Sequence, residues 1–175
     1  MKDFKKIKLL ILDCDGVLTD GKIIYNDNRI EIRNFSAKDG LGIKMLMFAG
    51  IEVAVISGKY SETLTKRCED LGIKHVFQKI RNKLKVAEKL FKELDMSWDN
   101  VAYMGDDWND FPVIKKVSLS AAPNDVMEDF KEKVDFISTR KGGEGAVREF
   151  IEFILKKQGI YEKVLLDFIS FLENS

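Results

Sequence analysis

The sequence is most informative where it is poor. Its 175 residues include two cysteines, two prolines and one histidine, and neither charge sign is in excess: 29 Lys and Arg stand against 29 Asp and Glu. With no net charge there is no overall field to draw the chain toward nucleic acid or a membrane surface. An anionic ligand must then be recognised by a local cluster. Cys14 and Cys68 have neither metal-ligand spacing nor the density of a disulfide scaffold, and they read as two reduced thiols in a cytoplasmic protein. The charged N-terminus, Met1 to Lys8, leads into a short apolar run, Ile7–Leu12, which Asp13 ends. That run is too short for a signal core or a membrane span. The scarcity of proline leaves room for mostly regular structure. His75, the one histidine, sits in a short strand candidate and reads as structural.

What is present is a chain long enough for one compact domain, expected to span residues 1–175. Apolar runs alternate with amphipathic stretches, the pattern of an α/β fold around a parallel sheet flanked by helices. Ile7–Asp13 and Ile51–Ser57 are apolar runs that suit central strands buried on both faces. His75–Gln78, Val101–Gly105, Ser118–Ala121 and Val134–Ser138 are shorter strand candidates. In Lys83–Leu94, the residues Leu84, Ala87, Leu90, Phe91 and Leu94 make a helical stripe. Gly40–Ala49, Ser61–Leu71, Asp125–Phe130 and Gly145–Lys157 read as further helices. Residues 22–35 carry strand formers on both sides of Asn26-Asp27-Asn28, a hairpin signal. The tail, residues 160–175, follows a helix stop at Gly159 and has helical apolar spacing from Val164 to Leu172. Periodicity alone leaves open whether it docks on its own domain or on a neighbouring subunit.

Four polar segments end or follow strand candidates, where an open α/β sheet binds its ligands. The first is Asp13-Cys14-Asp15-Gly16. Two carboxylates two residues apart at a strand end face one side and repel unless a cation lies between them. Gly16 allows a sharp turn and leaves its N–H open to an anion. Ser57-Gly58-Lys59 offers a hydroxyl and N–H groups at an expected helix entrance. Lys83 starts its helix as a fixed positive charge. Gly105-Asp106-Asp107-Trp108-Asn109-Asp110 packs three carboxylates after a strand, which suits a hard cation such as magnesium. Each piece alone has a plainer reading: a chance DxD, a turn, a solvated lysine, a charged cap. Jointly they spell phosphoryl transfer, with Asp13 as nucleophile and Asp15 as general acid and then base.

These segments, DCDGVLTD, VISGK, Lys83 and GDDWND, resemble the four motifs of the haloacid dehalogenase superfamily of phosphatases. Asn34–Ile43, Arg67–Ile73 and Arg140–Glu149 extend the likeness to the 3-deoxy-D-manno-octulosonate 8-phosphate (KDO 8-phosphate) phosphatase family. It runs from about Ile7 to Gly159. The resemblance implies a Rossmann-like fold with a protruding hairpin and no cap domain. It also implies magnesium dependence and a homotetramer assembled through the hairpins, acting on a small phosphorylated sugar acid. Asp13, the backbone carbonyl of Asp15 and Asp106 would hold the metal, with Asp107 and Asp110 supporting them. Ser57 and Lys83 would hold phosphate; Gly16, Gly58, Lys38, Lys59 and Arg67 would contact substrate. Departures are Cys14 for an aliphatic residue, expected as a core thiol facing away from Asp13, and Ser57 for threonine. Lys38 and Lys59 stand where arginine is common, and they lose the bidentate fork.

Three other functions compete with this one. A nonulosonate 9-phosphate phosphatase shares the GGEG segment at Gly142–Gly145, although Lys59 replaces an acidic residue of that branch. A receiver-like signalling domain needs no general acid two residues after its phosphorylated aspartate. A non-catalytic assembly subunit needs no intact set of catalytic positions. Trp98 and Trp108 read as packing residues, and Phe91, Phe150 and Phe153 as core.

Overall fold

The computed structural model describes residues 4–174; Met1–Asp3 of the charged N-terminus and Ser175 of the tail lie outside the described residues. The chain opens with β1 (Leu9–Leu12), followed by the hairpin strands β2 (Ile24–Tyr25) and β3 (Glu31–Ile32) and helix α1 (Ala37–Phe48). It continues with β4 (Glu52–Ile56), α2 (Glu62–Leu71), β5 (His75–Phe77), α3 (Lys83–Glu93) and β6 (Val101–Met104). The last third holds α4 (Phe111–Ile114), β7 (Leu119–Ala122), α5 (Glu128–Lys131), β8 (Phe136–Ile137), α6 (Ala146–Gln158) and α7 (Tyr161–Glu173).

Six strands form one parallel sheet in the order β5-β4-β1-β6-β7-β8. β1 is fully buried, as its unbroken apolar run requires, because helices cover both faces. Its alternate residues enter separate cores. Leu10 and Leu12 pack with Ile43 and Leu46 of α1 and Phe150 and Ile154 of α6; Leu9 and Ile11 pack with Leu90 and Phe91 of α3. Among the described residues, the span from Asp15 to Ser57 holds only the hairpin, α1 and β4, so no cap domain stands over the sheet.

Helix starts differ from the sequence expectation where side chains cap them. α1 begins at Ala37, before the expected Gly40, because Ser36 Oγ accepts the Asp39 N–H at 3.3 Å. The helix expected from Asp125 shrinks to the single turn of α5. α4, a single turn with Pro112 at its start, was not expected. The hairpin strands are two residues each, closed by Asn26 Oδ1 accepting the Ile30 N–H at 2.9 Å. The tail docks on its own chain: Phe168 of α7 meets Phe48 of α1 edge-on, 5.4 Å between centroids. Its outer residues Leu166, Ile169, Phe171 and Leu172 stay exposed. No helix among the described residues is long and apolar enough to cross a membrane.

Candidate active site

β1 lies between β4 and β6, whose connections run to opposite sides of the sheet, so a crevice opens beyond the C-terminal end of β1. Asp13 follows β1 directly, Ser57 follows β4, and Gly105-Asp106 follow β6. Asp13 stays tied to the sheet by donating its N–H to the Met104 carbonyl at 3.0 Å. The crevice therefore gathers polar residues that are far apart in the chain.

At its floor an ammonium faces buried carboxylates. Lys83 Nζ lies 2.7 Å from Asp13 Oδ1 and 2.6 Å from Asp110 Oδ1. Asp110 also accepts the Tyr103 hydroxyl at 2.5 Å and, through Oδ2, the Asp106 N–H at 3.1 Å. One oxygen from each of Asp13, Asp106 and Asp110 lies within 4.8 Å of the others. Burial, reinforced by the charge of Asp110, pushes the Asp13 carboxyl up to about 7 against the pull of Lys83. Burial and then Asp13 and Asp110 push Asp106 up to about 8. For Lys83, burial works against the charge, but Asp13 and Asp110 outweigh it and hold its pKa above the usual range.

Three carboxylates against one ammonium in a buried site are under-compensated by the protein's own charges, and an all-oxygen set suits a hard divalent cation. Asp110 is fully buried with both oxygens engaged by donors, which leaves Asp13 and Asp106 as the side chains able to ligate. Gly16 makes room for Asp106: its φ is +81°, and a Cβ there would fall 2.0 Å from Asp106 Oδ2. The loop that carries Gly16 is backed by the glycine pair 142–143, where Gly143 N–H donates to the Val17 carbonyl at 3.0 Å. A Cβ on Gly142 would fall 1.9 Å from the Gly16 carbonyl oxygen.

Above this floor is an open cleft of about 480 Å³, lined by Asp13, Asp15, Asp106 and Asp107 on the acidic side. Gly58, Lys59, Trp108 and Asn109 complete it. Asp15 is held by Arg33, whose Nη1 lies 2.7 Å from Asp15 Oδ1.

The haloacid dehalogenase-like hydrolase family matches residues 69–151. The 3-deoxy-D-manno-octulosonate 8-phosphate phosphatase of Escherichia coli is 42% identical over 159 residues, covering 91% of this chain and 85% of that protein. The chain belongs to the haloacid dehalogenase-like hydrolases. Among solved structures of this family, the Moraxella catarrhalis 3-deoxy-D-manno-octulosonate 8-phosphate phosphatase, in complex with magnesium, phosphate and KDO, superposes with a TM-score of 0.91. It is 37% identical, and 95% of each chain is covered. The cobalt-bound Haemophilus influenzae enzyme gives 0.88 at 40% identity, covering 94% of this chain and 99% of that one.

Within this hydrolase fold, the expected residues divide into three groups. Asp13, Lys83, Asp106 and Asp110 meet at the floor, and Asp15, Gly58, Lys59 and Asp107 line the cleft. Ser57 is fully buried at the end of β4, and its Oγ accepts the Lys59 N–H at 3.3 Å. The expected helix entrance is not there: α2 starts at Glu62, capped by Ser61, and the Ser57 N–H already donates to Phe77. Arg67 is not among the residues that meet in the cleft of its own chain. It donates to the Ser36 carbonyl at 3.1 Å and lies over the Phe35 ring at 6.0 Å, outside the cleft. Lys38 is also outside, in a separate cleft of about 240 Å³ beside Arg140 and Arg148.

Trp108 is a packing residue as expected, set edge-on against Phe111 and Phe130, yet it is 46% exposed and also lines the cleft. Cys14 is a core thiol, but its Sγ also accepts the Arg33 Nη1–H at 3.0 Å. Arg33 and Tyr103 were not singled out from sequence. The signal for Arg33 was its alternation with Glu31 in the hairpin, opposite Ile30 and Ile32, a charged inner face on a short ribbon.

Proposed function

We propose that the protein is a magnesium-dependent phosphomonoesterase that hydrolyses 3-deoxy-D-manno-octulosonate 8-phosphate through phosphoryl transfer to Asp13. The observation that carries this reading is the contact of Asp13 with Lys83 at 2.7 Å, beside Asp106, at the sheet's crevice. The 42% identity to the Escherichia coli phosphatase supports the choice of substrate.

Asp13 and Asp106, with the main-chain carbonyl of Asp15, would hold Mg²⁺, which when bound shields the negative charge between the carboxylates and the phosphate. Asp110 keeps Lys83 and the Asp106 backbone in place, and Asp107, which accepts the Trp108 N–H at 2.7 Å, borders the same shell. Asp13 attacks phosphorus; its oxygen–phosphorus bond forms as the phosphorus–sugar oxygen bond breaks, and Asp15 gives its proton to the departing alkoxide. Asp15 then takes a proton from water as that water attacks phosphorus. The acyl phosphate opens, inorganic phosphate leaves and Asp13 is restored. Lys83, with the Ser57 hydroxyl and the Gly16 and Gly58 N–H groups, holds the phosphoryl oxygens. Lys59, the one cation lining the cleft among the described residues, faces the sugar acid.

The same reading includes a cytoplasmic homotetramer, supported by two buried free thiols and by the exposed apolar hairpin residues Ile23, Ile24, Tyr25, Ile30 and Ile32. In a tetramer a neighbouring chain could bring the Lys38 surface near a cleft that its own fold keeps apart. Light scattering of the purified chain reads the assembly.

Purified protein is expected to release phosphate from KDO 8-phosphate with magnesium and to stop on addition of EDTA. Failure to turn over any of a panel of phosphorylated sugar acids would overturn the reading.

A further inference from the structure

Arg33 is a charge placed where charges are rarely tolerated: its side chain is 2% exposed. It follows β3 and reaches two places at once. Nε and Nη2 donate to Glu31 Oε1 at 3.1 and 2.9 Å, holding the guanidinium to its own hairpin. Nη1 reaches the catalytic loop, 3.0 Å from Cys14 Sγ and 2.7 Å from Asp15 Oδ1. The planar fork fixes these directions relative to one another, so the hairpin and the Asp15 carboxyl are parts of one rigid connection. Asp15 itself is 37% exposed and lines the cleft beside three other carboxylates. Without a partner it would be a mobile side chain repelled by Asp13, Asp106 and Asp107. Arg33 pairs with Oδ1, which leaves the other carboxyl oxygen to carry the proton.

We infer that Arg33 is a positioning residue for the proton transfer: the hairpin, through Arg33, sets the Asp15 carboxyl at the leaving-group oxygen. This rests on the assignment of Asp15 as the proton donor. A proton donor displaced by about 1 Å loses on the order of 10²-fold in rate, so a clamp of this kind belongs to the chemistry as well as to the fold.

The test separates proton donation from structural support by changing the leaving group. A sugar alkoxide is strongly basic and must be protonated as it departs. The p-nitrophenolate of p-nitrophenyl phosphate is weakly basic and departs without a proton. The pre-steady-state burst of p-nitrophenolate reports transfer to Asp13 alone. Arg33→Met is expected to slow phosphate release from KDO 8-phosphate by about 10- to 100-fold, within the range of a general-acid contribution, while KM and the aryl burst rate stay within about threefold. Asp15→Asn should show the same selectivity with a larger loss, and the double variant should be no slower than Asp15→Asn. Arg33→Lys, which keeps the charge but not the fork, should recover part of the rate.

Equal losses on both substrates in Arg33→Met, or a loss in the double variant that multiplies the two single losses, would overturn the role of Arg33. Equal losses in Asp15→Asn would instead remove the assignment of Asp15. If thermal melting shows that Arg33→Met does not fold, Arg33→Lys and Glu31→Gln carry the same comparison. Glu31→Gln weakens the hairpin end of the clamp while leaving the Asp15 pair. A smaller but selective loss in those two supports the inference, and an unselective one ends it.

Discussion

Lys83 is the residue on which most of the local electrostatics turns. Its side chain is 2% exposed and its ammonium touches Asp13 and Asp110, so replacing it leaves two buried carboxylates facing each other without compensation. Removing one partner of a buried ion pair costs about 3–5 kcal/mol, far more than the pair itself adds relative to an apolar replacement. Lys83→Met is therefore expected to unfold at markedly lower denaturant in EDTA, with part of the loss regained on adding magnesium. Its rate should fall on the order of 10²- to 10³-fold, as for other lost charge-stabilising donors. Chemical denaturation with and without magnesium checks the first part, and unchanged stability in EDTA would show that the cluster is not as desolvated as its geometry implies. Tyr103 belongs to the same local system: its hydroxyl on Asp110 fixes the carboxylate that in turn orients Lys83 and the Asp106 backbone.

At the scale of elements, the catalytic loop after β1 is braced by a segment more than a hundred residues later. Gly142 packs so closely that an added Cβ would sit 1.9 Å from the Gly16 carbonyl and 2.9 Å from that of Thr19, both backbone atoms that cannot swing aside. Gly142→Ala should push the loop toward Asp106 and weaken magnesium binding, read by titration calorimetry, while the sheet and its circular dichroism persist. Undiminished affinity would mean that the glycine pair can retreat without moving the site. α7 presents a different question, since its sequence pattern allowed two docking partners. Phe168 is 5% exposed and packs on Phe48 within the same chain, so Phe168→Ala is expected to destabilise the chain by about 3–5 kcal/mol, independently of protein concentration. A concentration-dependent effect would place the anchor between subunits instead.

For the whole molecule, the raised carboxyls link metal binding to pH. Burial and mutual repulsion bring Asp13 to about 7 and Asp106 to about 8, so below those values both groups tend to hold protons that a cation must displace. The apparent affinity for magnesium should rise from about pH 6 to about pH 9 and level off above, with proton release on binding that diminishes over the same interval. Calorimetry in two buffers of different ionisation enthalpy measures both quantities, and an affinity flat across that interval would contradict the arrangement. The overall neutrality of the chain, 29 charges of each sign, is consistent with a site that recognises an anion by placement alone. The cation and Lys83 at the floor, with Lys59 at the rim, act where the acidic lining would otherwise repel a phosphate.

The sequence by itself determined the parallel α/β core, the strand ends that carry Asp13, Ser57 and Asp106, the hairpin and the acidic segments that follow two of those strands. Those features are local: an apolar run long enough for a buried strand, then carboxylates and glycine within a few residues, set both geometry and chemistry without reference to the rest of the chain. Only the tertiary structure decided which charges meet. It brought Asp110 to Lys83 across 27 positions and Arg33 to Cys14 across 19. It drew Arg67 onto the Ser36 carbonyl and the Phe35 ring, and it left Lys38 in another cleft. A long cationic side chain can reach several carboxylates or carbonyls from one backbone position. Its partner is chosen by which of them close packing has already stripped of water, and that is a property of the assembled fold.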